Sequence, residues 1–247
     1  MEKVFFSFAI IILMVGFAGC SEDSNSGAPT NSGDMPYEVT LDPADFISSD
    51  YTGNEFMPLV PGTTMIYEGE DEDGLLVRVE TFTTSETKLI LGITCLVVKD
   101  KAYEAGVLIE DTDDWYAQEI NGNIWYMGEY SELIDDGEVV STAGSWEAGV
   151  DGALPGLIML AEPYAGIWYR QEYYENEAED AAQILSLNKT ETIGLGTYEN
   201  CLQTNEWSLQ EPSIIEHKFY TPGIGLIRTI AVEGEAGFEN LIEVISQ

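Results

Sequence analysis

The chain has 247 residues and carries 45 acidic side chains against 9 Lys and Arg, with one His, for a formal charge of −36 at pH 7. Nucleic acids and anionic headgroups are tracked by clustered Lys and Arg, so a chain this acidic excludes them as direct partners. With 45% hydrophobic and 11% aromatic residues the chain can bury a core, which excludes disorder along its whole length.

Lys3 precedes an apolar run from Val4 to Phe17. A membrane-spanning helix needs about 20 apolar residues, and a shorter run ending in small residues is the layout of an export signal. Phe17-Ala18-Gly19-Cys20 closes that run and resembles the bacterial lipobox. The resemblance implies that residues 1–19 are a cleaved signal peptide and that Cys20 is diacylglycerated and acylated. A membrane is then the first expected partner, reached through the lipid anchor at Cys20. The expected location is the bacterial cell envelope, and Ser21 is similar to sorting signals for the outer membrane. Residues 20–45, rich in Ser, Asn, Gly, Asp and Pro, are expected to be a flexible tether.

Residues 46–247 are expected to form a single β-rich domain. Runs such as Leu75–Phe82, Ile214–Tyr220 and Leu226–Val232 alternate with period two, and Asp73-Gly74, Asn121-Gly122 and Asp136-Gly137 suit tight hairpin turns. The fold class expected is mainly β: a curved antiparallel meander or half-barrel with one short helix on a face. The helix is placed after Asn176, where Glu179 completes a capping box and Ala178, Ala181, Ala182 and Leu185 fall at helical spacing.

Two longer stretches, Met57-Pro58-Leu59-Val60-Pro61-Gly62 running on to Glu68 and Tyr220-Thr221-Pro222-Gly223-Ile224-Gly225-Leu226 running on to Arg228, resemble bacterial envelope proteins with a curved antiparallel sheet. In those proteins a Pro-Gly turn opens the first strand and a Tyr-x-Pro-Gly-x-Gly-Leu stretch begins a late one. Residues 110–118 continuing through Trp125-Tyr126-Met127-Gly128-Glu129, Gly144–Ala153, and Tyr169–Tyr174 with Ala178-Glu179-Asp180 are similar to an uncharacterised group of secreted bacterial lipoproteins. This second resemblance implies a fold and a compartment and transfers no activity.

Asp111, Asp113, Asp114 and Glu129 are candidate metal ligands. If the hairpin turns on Asn121-Gly122 alone, Gln118 lies opposite Trp125, Tyr116 opposite Met127 and Asp114 opposite Glu129. Opposed carboxylates are unfavourable, so that register predicts either a bound cation, Ca2+ being the candidate cofactor, or a longer loop that shifts the pairing. The bland reading is solvated turn and edge residues. Asp71-Glu72-Asp73-Gly74 with Glu80 resembles part of a calcium loop but lacks its first ligand and its helices, and reads as a charged hairpin tip.

Trp115, Tyr126, Trp146, Glu147, Trp168, Arg170 and Glu172 are candidates for a ligand cleft, against the commoner role of aromatic residues as sheet core. Cys95 and Cys201 form an even pair that an oxidising envelope would join, the alternative being two buried thiols. No nucleophile elbow or metalloprotease motif is present. The leading expectation is a lipid-anchored envelope binding or structural module for an unknown small ligand or envelope protein. The alternatives are a hydrolase using Glu147, Glu172 or His217, and a carrier of apolar molecules with a cavity between sheet and helix.

Overall fold

The computed structural model describes residues 37–246. The signal peptide, Cys20 and most of the expected tether lie outside the described residues. Alternation of apolar and polar side chains builds a run of antiparallel hairpins from β1 (Thr63–Glu70) through β2 (Leu76–Ile90), β3 (Ile93–Glu104), β4 (Val107–Gln118) and β5 (Ile124–Asp135). The short strands β6 (Glu138–Ser141), β7 (Trp146–Glu147) and β8 (Leu154–Met159) all pair with β5. Then follow β9 (Trp168–Arg170), β10 (Glu172–Tyr173), β11 (Asp180–Ile193), β12 (Gly196–Ser208), β13 (Ile215–Thr221), β14 (Gly225–Glu233) and β15 (Phe238–Ser246).

The strands form one sheet. Its path runs β10-β8-β5-β4-β3-β2-β1-β15-β14-β13-β12-β11-β9, so the last strand returns to pair with the first. The two ends of that path, β9 and β10, are consecutive in the chain and separated only by Gln171. Arg170 faces Ala181 of β11 while Glu172 faces Pro155 of β8. One short segment therefore joins both edges, and the sheet curls into a nearly closed barrel that leaves few unpaired edges. Gly156 lies where this segment crosses, and a Cβ there would overlap the carbonyl of Gln171. The antiparallel meander expected from the alternation is the fold observed.

The helix expected after Asn176 does not form; the short 3-10 turn Pro43–Asp45 is the helical element among the described residues. The Asn176 N–H does donate to Glu179 at 3.0 Å, as a capping box requires, but Asn176 has φ 61° and the contact closes a tight turn leading into β11. Ala181 and Ala182 are both fully buried because the two faces of β11 are both covered. Ala181 packs with Trp207 and Ile215, and Ala182 with Tyr169 and Ile184. Small residues buried on both faces of a strand imitate helical spacing over so short a run.

Residues 37–45, expected to belong to the tether, pack on the barrel. Val39, Leu41 and Phe46 lie against the outer cluster of Cys95, Val97, Trp115 and Met127, and the Tyr37 hydroxyl donates to the Pro155 carbonyl at 2.9 Å. Residues 51–61 then close one end of the barrel, placing Tyr51, Phe56 and Leu59 among Leu96, Ile124, Ile184 and Leu202. Asn54 fastens this strap. Its amide donates to the carbonyls of Gly122 and Leu160, and its Oδ1 accepts from the N–H groups of Phe56 and Met57.

Candidate functional site

The barrel interior is unusual in its charge. Along β3 to β5 the inward residues include Asp100, Glu110, Asp114 and Glu129; on the facing wall they include Asp180, Glu206, Glu216 and Glu239. Glu172 joins them from the closing segment. Isolated ionised carboxylates are too costly to bury, so such groups must find partners or hold protons.

Both solutions occur. Glu206 accepts hydrogen bonds from Thr204 at 2.6 Å, Tyr220 at 3.1 Å and Gln171 at 3.2 Å, and pairs with Lys218 at 3.0 Å. Burial alone would raise its pKa, but Lys218 and these donors bring it below the usual carboxylate value. Lys218 is held above its ordinary value in turn, because Glu206 and Glu216 outweigh its burial. The others go the opposite way. Burial pushes Asp100 and Asp180 up to about 6, Glu216 to about 7 and Glu239 to about 8. Asp114, Glu129 and Glu172 rise well above the usual range, each first through burial and then through a neighbouring carboxylate. At pH 7 Glu239 is therefore mostly a neutral acid, whereas Asp100 and Asp180 are mostly ionised.

Asp114 and Glu129 do face each other across β4 and β5. The loop between the strands is longer than Asn121-Gly122, and pairing near the tip sets Gln118 against Ile124 and Tyr116 against Tyr126. A bulge at Gly128, φ 130°, takes up one residue and restores the opposed carboxyls. Tyr126 donates to Asp114 at 2.5 Å, its ring meets Trp146 edge-on at 5.4 Å, and the Trp146 indole donates to Glu172 at 3.0 Å.

The four candidate metal ligands do not converge. Asp111 and Asp113 lie on the outer face, paired with Lys101 and Lys99, whereas Asp114 and Glu129 point inward. Among the described residues no group of three or more His, Cys, Asp and Glu is arranged to hold a metal ion. The expected cleft is likewise divided. Tyr126, Trp146 and Glu172 meet inside the barrel; Trp115 lies on the outside beneath Lys88, whose Nζ is 3.1 Å from the ring centroid and 2.7 Å from Glu147. Trp168 packs with Ala181 and Trp207, and Arg170 is buried against Tyr37 and Tyr173 with Glu179 at 3.6 Å. His217 lies on the opposite face of β13 from Lys218, bonded to Gln203 at 3.0 Å, so Glu147, Glu172 and His217 share no cleft. Cys95 and Cys201 are buried, unbridged thiols in separate clusters, not the expected disulfide.

A cavity of about 170 Å³ lies inside the barrel, lined by residues that the residue pattern did not single out as site residues. Met57, Leu59, Met65, Val98 and Leu226 form its apolar wall, and Asp100, Lys218, Thr229 and Glu239 its polar end. The two sequence stretches around Pro58 and Pro222 meet here, since the Gly223 N–H donates to the Glu55 carbonyl and Pro58, Ile224 and Gly225 all line the space. The cavity lies between the strap and the barrel wall, not beneath a helix.

No family model and no curated protein matches the chain. Two solved structures are similar to it. One, described as an exported protein with a YmcC-like fold from Bacteroides fragilis, is 14% identical with a TM-score of 0.47 and covers 78% of this chain and 100% of its own. The other, described as a lipoprotein from Parabacteroides distasonis, is 16% identical with a TM-score of 0.43 and covers 78% of this chain and 99% of its own.

Proposed function

We propose that the chain is a lipid-anchored binding module of the bacterial cell envelope that keeps a compact, largely apolar molecule inside its barrel. The observation that carries this reading is the cavity of about 170 Å³ walled by Met57, Leu59, Met65 and Leu226. Sites for small molecules are concave and mostly apolar with a few placed polar groups, which is the composition found here. An apolar cavity of about 150 Å³ admits benzene, so this one suits a ligand of comparable size. The anchor at Cys20, expected from the lipobox resemblance, would hold the barrel at a membrane while leaving the cavity in the aqueous compartment, with the outer membrane as the proposed site.

The test uses the chain from residue 20 with Cys20→Ser, so that no acyl group competes. Toluene at saturation is expected to raise the melting temperature by several degrees, as a ligand bound only to the folded state must. Leu226→Trp, which fills the cavity, is expected to abolish that rise. An unchanged melting temperature in the unfilled protein would remove the reading.

A further inference from the structure

The polar end of the cavity specifies more than an apolar guest. Glu239 is 5% exposed and lines the cavity, and its side-chain Oε1 is buried without a hydrogen-bond partner. An acceptor left unsatisfied in a protein interior is destabilising, a cost that a ligand bearing a donor would remove. Asp100 lines the same end. Lys218 is the cation there, and it is already engaged by Glu206 at 3.0 Å and Glu216 at 4.0 Å. Thr81 and Thr229 add only hydroxyls. The end of the cavity thus holds spare carboxyl acceptors and a cation whose charge is already spent, so an incoming carboxylate or phosphate would meet acids. An incoming ammonium would meet acceptors.

We infer that the cavity takes a small primary amine with an apolar body, its ammonium seated against Glu239 beside Asp100 and its body against Leu59, Met65 and Leu226. This rests on the binding function proposed above and names the ligand class. The charged and titratable groups facing Glu239 are Glu216 and Lys218 on β13 and Asp100 on β3, with the Tyr67 hydroxyl near on β1. Burial raises Glu239 to about 8, so at pH 7 it is mostly a neutral acid. An arriving ammonium favours its ionised form: the Glu239 O–H bond breaks, the carboxylate stays with the ammonium, and the proton passes to buffer.

The experiment is calorimetric titration of the chain from residue 20 with Cys20→Ser, using benzylamine, toluene and benzoate at pH 7 in two buffers of different ionisation heat. Benzylamine is expected to bind at least tenfold tighter than toluene, with proton release, and benzoate weakest. Glu239→Gln is expected to bring benzylamine to the same affinity as toluene in that variant and to remove the proton release; the Glu239 side chain makes no hydrogen bond to lose, and Asp100→Asn gives a second variant in which the preference should shrink. Equal binding of benzylamine and toluene, or a preference untouched by Glu239→Gln, would overturn the inference and leave the apolar-binding function standing. Preference for benzoate would also overturn it, assigning the polar end to Lys218. If none of the three probes binds, both readings fall.

Discussion

Asp114 and Glu129 face each other across β4 and β5 inside the barrel, and both carboxyls lie well above their ordinary pKa because they are buried side by side. Both therefore hold a proton more tightly in the folded chain than in the unfolded one. Such groups cost nothing in acid, and the stability lost to them grows as pH rises. Glu129→Gln keeps the shape and removes the charge. It is expected to raise the melting temperature at pH 8 by about 2–8 °C, equivalent to about 1–2 kcal/mol, and to change it little at pH 4.5. Thermal melts of both proteins at the two pH values check this.

The same sign applies to the rest of the interior. Asp100 and Asp180 at about 6, Glu216 at about 7 and Glu239 at about 8 all lie above ordinary carboxyl values. The melting temperature is therefore expected to fall as pH rises from 5 to 8.5, the window set by those values. Glu206 is the exception, since its lowered pKa contributes stability above its unfolded value that is lost in acid. A pH series of melting curves with a maximum on the acid side of neutrality is the expected result.

Lys218→Met removes the cation beside Glu206 and Glu216 and leaves Glu206 buried without its counter-charge. Breaking a buried pair from one side costs about 3–5 kcal/mol. Adding Glu206→Gln to the same protein is expected to recover much of the loss, because the stranded charge is then gone. Denaturant unfolding of the two single variants and the double variant measures the coupling.

Asn54→Ala cuts the four hydrogen bonds that fasten the strap over the barrel end. A loss of about 2–4 kcal/mol is expected, allowing about 1 kcal/mol for each bond. Hydrogen exchange should speed up in residues 51–61 while the amides of β12 and β13 keep their protection. Uniform acceleration along the chain would show that the strap is not a separate unit.

The sequence patterns were informative wherever one physical signal acted alone. Asp136-Gly137 turns the β5–β6 hairpin, with both residues at positive φ, and alternation located the meander. The opposition of Asp114 and Glu129 was anticipated from a two-residue loop, but it arises from a longer loop offset by the bulge at Gly128, which the local residues do not announce. The helix after Asn176 failed because Ala181 and Ala182 are buried on opposite faces of one strand. The acidic interior was the least legible feature. In a half-exposed sheet the charged face points to water, so Asp114 beside Trp115 reads as an acid outside and an aromatic inside. Here the order is reversed: Trp115 lies outside under Lys88, in a cluster against which Val39, Leu41 and Phe46 pack, and only the closed barrel leaves Asp114 within.

The most direct test of the central claim is a crystal structure of the chain from residue 20, with Cys20→Ser, equilibrated with toluene vapour. Density for one aromatic ring is expected in the barrel between Leu59, Met65 and Leu226. A cavity filled by ordered water, or closed by movement of the strap onto Leu226, would contradict it.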